Sequence, residues 1–392
     1  MKLLHTADWQ LGKPFASIED EDSQALVRKA RIDALGAIGK LARAEVVDAV
    51  LVAGDLFDSP SAKASVVSAA LGEIGRWPCP VYVIPGNHDH GGPGSIWAQP
   101  FFQQEREQLA PNLVLCLEAK AVITEQFVLY PCPLLRRAEN ADTTAWLREP
   151  EAFAENGLPR IVLAHGSILD FSRGSDDPED EAGATNHLAL DRLPMDEIDY
   201  IALGDWHGTK RVDAKTWYAG TPEYDRFPKG DGYTAGQVLI VEVGRNREPE
   251  VTVHPTGQLS WLAHEWEFHD DTDLERLSQW VQDTFASRTQ ADLLKLRLQG
   301  ALGLEATRRL EELLTQLRAR LLHLKLTQDT ALAPTEEELA AFVGDAENPL
   351  IARAARSLTN HAREHPDEAA RAQLALRELD LLRNRLSGAG TP

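Results

Sequence analysis

Apolar positions along the chain follow two rhythms in turn. Up to about residue 245, short β-rich runs alternate with helical stretches. Residues 47–53 and 81–84 are nearly continuous β-branched or aliphatic runs, the pattern of strands buried on both faces. Residues 61–74 between them, and 25–44 before them, carry helical spacing. This βαβα rhythm predicts an α/β sandwich. Further on, residues 261–268 alternate as a strand, and Thr272 with Glu275 predicts a capping box before Leu274, Leu277, Trp280 and Val281. Leu294, Leu296 and Leu298 alternate with polar neighbours, 304–318 reads as a helix and 321–326 as another strand. That βαβαβ order predicts a small α+β unit.

Residues 334–387 are helical and charged. Thr335 with Glu338 makes a capping box, and Asn348-Pro349 starts a second helix with proline in its first turn. A third helix spans 367–386, with Ala372, Leu376, Leu379, Leu382 and Leu386 on one face and Gly388 at its end. Such helices either pack on the α+β unit or bind a partner. The partner reading expects a chain ending near Pro334 to stay folded. Two segments break the rhythm. Residues 133–159 are polar, with Trp146 and Leu147 scattered among them. Residues 170–186 carry an acidic run at 176–181 and read as a solvated loop or an insert over the mouth of a site.

Five polar strings stand directly after apolar runs. They are Asp8-Trp9-Gln10, Gly54-Asp55-Leu56-Phe57-Asp58, Gly86-Asn87-His88-Asp89, Ala164-His165-Gly166 and Gly204-Asp205-Trp206-His207. The runs before them are 2–4, 46–53, 81–85, 161–164 and 200–203. A ligand at the end of a buried strand is held by the sheet, while the loop beyond it opens to substrate. Asp, Asn, His and Gln in five such places point to a two-metal phosphoesterase. Two neighbouring ions need a bridging ligand, and a carboxylate suits because each oxygen can face one ion.

The strings, in this order, resemble the calcineurin-like metallophosphoesterase superfamily. The opening His5-Thr6-Ala7-Asp8-Trp9-Gln10-Leu11-Gly12-Lys13 and the later Tyr218-Ala219-Gly220-Thr221-Pro222-Glu223 are similar to the SbcD-type nucleases of DNA double-strand-break repair. The resemblance covers about residues 1–245 and fades beyond. It implies a four-layer metallophosphoesterase β-sandwich flanked by helices over 1–260, an α+β capping, DNA-binding domain over 261–332, and a helical partner-binding segment over 333–392. It implies that Asp55 bridges two divalent ions, with Asp8 and His207 on the first and Asn87 and Asp205 on the second, His165 completing the set. His88 matches a catalytic acid, and an imidazole near its neutral pKa can protonate a leaving oxygen. Asp89 follows at once and is expected to fix that ring. Ligation or structural donation by His88 is the other reading.

Gln10 and Asp205 stand where such nucleases usually have histidine. Both exchanges put oxygen in place of nitrogen, which favours Mn²⁺ or Mg²⁺ over Zn²⁺. Gln10 is expected to ligate directly, with water-mediated ligation as the alternative. Lys13, His90 and Arg226 are candidate substrate contacts, and His5 a buried donor behind the site. The resemblance further implies 3′→5′ exonuclease and single-strand or hairpin endonuclease activity on DNA, an SbcC-type SMC-like coiled-coil ATPase as partner, and a homodimer.

Composition changes this picture at one point. The 392 residues suggest two to three domains, and 43% apolar residues suffice for a core. The apolar runs are strand-sized, and the first residues meet a charge at once, so the expectation is a cytoplasmic chain with no membrane span and no signal peptide. Three cysteines without a CxxC pair read as reduced thiols. The formal net charge of −21, however, is unlike the basic footprint of a DNA enzyme. Metal ligands, local basic residues (Lys13, Arg136, Arg137, Lys210, Arg211, Arg226, Lys229) and a basic partner would soften the conflict. Two other readings therefore stand: a phosphomonoesterase or cyclic-nucleotide phosphodiesterase, and a metal-binding but inactive interaction protein.

Overall fold

Strands without a polar face must be covered on both sides, and the first part of the chain arranges this with two stacked sheets. The computed structural model describes residues 1–168, 185–228, 233–285 and 290–388. The acidic run at 176–181 and Lys229 lie outside the described residues. Two compact units divide at Leu259 and Ser260.

In the first unit, β1 (Lys2–Thr6), β2 (Ala49–Ala53), β3 (Val81–Ile84) and β4 (Leu113–Leu115) run parallel. β11 (Gln237–Glu242) and β12 (Glu250–Pro255) extend that sheet antiparallel, in the order β12-β11-β1-β2-β3-β4. The second sheet has the order β5-β6-β7-β8-β10-β9. Its parallel centre is β6 (Val128–Cys132), β7 (Arg160–His165), β8 (Tyr200–Gly204) and β10 (Thr216–Tyr218), and its edges are β5 (Val122–Ile123) and β9 (Lys210–Arg211). Alternation divides each strand between two cores. Leu3, Leu51 and Ala53 face Ile161, Leu163 and Ala202 between the sheets, whereas Leu4, Val50 and Val52 face outward under helices.

Three helices cover the first sheet: α1 (Glu21–Ala44), α2 (Ala64–Ile74) and α3 (Pro100–Leu109). α1 starts four residues before its apolar periodicity, because Asp20 caps it by accepting from the Ser23 amide at 2.7 Å. The second sheet is covered instead by loops and single 3₁₀ turns, which supply Leu147, Phe153, Leu188 and Leu193. The polar segment 133–159 therefore closes a core, through the few apolar residues it has.

The second unit is the expected βαβαβ order: β13 (Ser260–Phe268), α4 (Thr272–Phe285), β14 (Asp292–Leu302), α5 (Leu304–Arg320) and β15 (His323–Leu332). All three strands are parallel. Leu294, Leu296 and Leu298 are fully buried with Leu277, Val281, Leu310 and Leu314 from the two helices. The capping box expected at Thr272 does not form. Asp270 takes the role by accepting from the Thr272 amide at 2.8 Å, while Glu275 pairs with Arg309. The box at Thr335 and Glu338 does open α6 (Glu336–Val343).

The helices after residue 333 do not form a compact unit of their own. α6, α7 (Pro349–Glu364) and α8 (Ala369–Gly388) belong to the same compact unit as the three-stranded sheet. Ala372 and Leu376 are each 3% exposed, in one cluster with Leu304, Leu332, Phe342, Ile351 and Ala355. Leu304 and Leu332 stand at the end of the sheet and need cover, which the helices provide. The face splits: Leu379 is half-buried against the cluster and Leu382 is 49% exposed. The three cysteines are buried and unpaired. Among the described residues, no helix is long and apolar enough to cross a membrane.

Candidate metal centre

Parallel strands carry their C-terminal ends to one edge of a sheet. β1, β2 and β3 in one sheet and β7 and β8 in the other therefore deliver all five strings to one rim of the sandwich. The turns that follow are strained. Asp8, Gln10, Asp55 and Asp205 all have positive φ, between 40° and 102°. Non-glycine residues rarely adopt that region, and they do so where the surroundings over-determine them. Here the amide of Asp8 donates to Gly54 O at 3.1 Å and that of Gln10 to Asp55 O at 2.8 Å, which ties the first two turns together. Close approach requires glycine in these turns, as Gly54 and Gly86 show. A Cβ on Gly54 would lie 2.3 Å from His165 Nδ1, and one on Gly86 would lie 2.1 Å from Asp55 Oδ1.

Asp8, Asp55 and His165 converge, fully buried, with one ligand atom each within 4.8 Å of the others. His165 Nδ1 meets Ala53 O at 2.7 Å, which fixes the ring. Its Nε2 lies 2.9 Å from Asn87 Oδ1 and 3.7 Å from both Asp55 Oδ2 and Asp205 Oδ1. The Asp205 amide donates to Asp8 Oδ1 at 3.0 Å. Burial above all, then Asp55 and Asp205, pushes Asp8 up to about 6 against the pull of His207 and His165. Burial alone would lower His165, but Asp55, Asp8 and Asp205 overcome it and raise it to about 9. Three carboxylates so close, with the Asn87 oxygen and the His165 nitrogen among them, fit divalent cations, which would offset the charge.

His207 completes the cluster on the Asp8 side. Its Nε2 lies 3.3 Å from Gln10 Nε2, and its Nδ1 lies 2.9 Å from Asp225 Oδ2. A carboxylate behind a ligating imidazole fixes tautomer and orientation. Burial opposes charge on Asp225, yet His207, Lys13 and Arg226 outweigh it and hold the carboxyl well below its ordinary value.

Two candidate substrate contacts, Lys13 and Arg226, turn toward Asp225. Lys13 Nζ donates to Gln10 Oε1 at 3.0 Å and to Asp225 at 2.9 Å. Arg226 lies 3.2 Å from His207 Nδ1 and 3.5 Å from Asp225. Both stand behind the candidate ligands Gln10 and His207, because Asp225 gathers the nearby cations. Gln10 correspondingly gives its oxygen to Lys13.

His88 Nδ1 lies 2.9 Å from Asp58 O and 4.0 Å from Asp58 Oδ1, and the His88 amide donates to Asp55 Oδ1 at 2.9 Å. The role expected for Asp89 falls to Asp58. Asp89 turns inward, accepts from the amides of Gly86 at 2.8 Å and Phe57 at 3.0 Å, and is pushed by burial up to about 7. It braces the turn and does not touch the His88 ring. His90 is half-buried, its Nδ1 without a hydrogen-bond partner among the described residues. His5 is a buried donor, as expected, between Tyr200 Oη at 2.9 Å and Leu203 O at 3.1 Å.

Sequence reasoning missed Asp225, Asp58 and Arg31. Asp225 stands two residues after the string that ends at Glu223, and Asp58 ends another. Arg31 carried a fainter signal: a cation inside the apolar stripe of α1, beside Val27, Ala30, Ala34 and Leu35.

Residues 1–229 match the calcineurin-like phosphoesterase family. The SbcD component of the nuclease SbcCD of Bacillus subtilis is 25% identical over 346 residues, 80% of this chain and 83% of that protein. The protein of the same name in Escherichia coli is 35% identical over 251 residues, 57% of this chain and 60% of that protein. Among solved structures, TT1561 of Thermus thermophilus covers 65% of this chain and 98% of its own, at 13% identity and a TM-score of 0.38, a likeness too loose to inform function.

Proposed function

The chain belongs to the calcineurin-like phosphoesterase family, and on that premise we propose that this metal-dependent phosphodiesterase is a Mn²⁺-dependent DNA nuclease. The convergence of Asp8, Asp55 and His165 at the strand ends is the observation that carries the reading. The two SbcD relatives, components of a nuclease, support DNA as substrate. Two divalent ions, when bound, supply Lewis acidity at the scissile phosphate. Asp55 stands between the Asp8–His207 side and the Asn87–His165 side, which suits a bridging carboxylate. Asp205 adds an oxygen donor beside His165 and favours Mn²⁺ over Zn²⁺. Gln10 supports this preference less directly, since its oxygen faces Lys13. His88 delivers a proton to the leaving oxygen, its ring oriented by Asp58 O.

Arg136 and Arg137 are exposed just beyond β6, where Leu134 O accepts from the Gly91 amide at 2.8 Å. They border the His88 turn and suit contacts to DNA phosphates. An SbcC-type coiled-coil ATPase is the partner class this reading implies, together with a homodimer in the cytoplasm. The net charge of −21 favours a second reading, a phosphomonoesterase or cyclic-nucleotide phosphodiesterase. Purified chain with Mn²⁺, offered single-stranded DNA and separately a chromogenic phosphodiester, tests both. DNA cleavage supports the nuclease, and chromogenic turnover alone supports the second reading. Equal DNA cleavage with Zn²⁺ would remove the manganese part.

A further inference from the structure

Arg31 is 2% exposed. It reaches from α1 to two loops far apart in sequence, one at Asp8 and Trp9 and the other at Thr221 and Glu223. On one side its Nε donates to Trp9 O at 2.8 Å, and its Nη2 to Asp8 O at 3.0 Å. On the other side its Nη1 donates to Glu223 O at 3.0 Å, and its Nη2 to Thr221 Oγ1 at 3.0 Å. The first loop carries Asp8 and Gln10. The second carries Asp225, which orients His207 through Nδ1. Each loop therefore serves the same half of the metal centre. Among the described residues, no hydrogen bond of Arg31 reaches Asn87 or His165, the other half.

We propose that Arg31 is a positioning residue for one metal subsite only, the one formed by Asp8 and His207, which it assembles by clamping their two supporting loops together. The inference rests on the two-metal reading above. The planar fork is essential, because a guanidinium can address four acceptors in two directions while an ammonium offers three donors from one point. Loss of the fork leaves carbonyls of both loops without their donor and frees the strained turn at Asp8, where φ is 54°. The Asp8 carboxylate and the His207 ring then no longer hold one geometry. Supporting groups of this kind are typically worth about 10–100-fold in metal affinity.

The test is Mn²⁺ titration of the full chain by calorimetry, with elemental analysis at saturation, on the parent, Arg31→Met and Arg31→Lys. The parent should bind two ions. Both variants should weaken one ion about 10–100-fold and leave the other at parent affinity. Unchanged affinity for both ions, or equal weakening of both, overturns the proposal. Full recovery by Arg31→Lys also overturns it, because charge alone would then suffice. Should Arg31→Met fail to fold, Thr221→Ala decides: it removes one acceptor of the clamp and should weaken the same single ion, and unchanged affinities would sink the idea. A parent that binds no ions would instead remove the two-metal reading itself, and the clamp with it.

Discussion

Asp55 and His88 sit one hydrogen bond apart, yet they should fail in different ways. Asp55 Oδ1 accepts the His88 amide, while Oδ2 lies 3.7 Å from His165 Nε2 at the centre of the cluster. Asp55→Ala is expected to abolish activity and to lower metal content, read by elemental analysis on the folded variant. Retention of both ions would show that Asp55 does not bridge. His88→Ala should lose roughly a hundredfold or more in rate, as for a general acid, and keep its metal. A large loss of metal would make His88 a ligand instead. His5 offers a test that the metal does not enter. Burial lowers it from 6.5 to about 3, with only Leu203 O favouring the charged form. The unfolded chain takes up this proton near pH 6.5 and the folded chain resists it. Stability is therefore unaffected above about 6.5 and falls as pH drops toward about 3. In EDTA, the parent should lose on the order of 3 kcal/mol more than His5→Asn between pH 7 and pH 4. Parallel melting curves across that range would reject the buried neutral imidazole.

Elements were legible where one local signal decided them, and less so where partners far along the chain did. The ends of β1, β2, β3, β7 and β8 are marked by an apolar run meeting a polar residue, so the candidate ligands there could be named from sequence. Asp58 and Asp225 act through atoms that only the turns bring close, and Arg31 through loops on opposite sides of the chain. Composition could not show that Asp89 turns inward, because consecutive residues in a tight turn point different ways. The C-terminal helices illustrate the same limit. Their apolar face fits a partner or a neighbour equally well, and Leu304 and Leu332 decide for a neighbour. A chain ending near Pro334 should consequently lose stability in its second unit. Exposing those two leucines alone costs about 3–6 kcal/mol, before the loss of Phe342, Ile351 and Leu376 is counted. Thermal melting of the truncated chain checks this. An unchanged transition would restore the independent arm that the sequence suggested.

At the scale of the whole molecule the charge is the unresolved tension, and it has a measurable consequence. The chain carries −21, and two divalent ions would cancel only four of those charges. Of the basic residues gathered near the motif loops, Lys13 and Arg226 turn to Asp225, Lys210 lies over the Trp206 ring, Arg211 pairs with Glu248 and Lys229 lies outside the described residues, which leaves Arg136 and Arg137 as the exposed pair beside the His88 turn. Affinity for single-stranded nucleic acid falls with salt at a slope of about −0.7 per phosphate neutralised. Two or three such contacts give a slope of roughly −2. Screening of the long-range repulsion between an acidic protein and DNA flattens it further. We therefore expect the isolated chain, with Mn²⁺ and in the slowed, metal-retaining His88→Ala background, to bind single-stranded DNA weakly and with a shallow salt dependence. Arg136→Ala with Arg137→Ala should remove most of that dependence and raise KM for DNA, but not for a small chromogenic phosphodiester. Fluorescence anisotropy across a salt series reads the slope. A slope of about −5 or steeper would mean a broad phosphate footprint, and DNA contact by Arg136 and Arg137 would then be too small a part of binding for this account to stand.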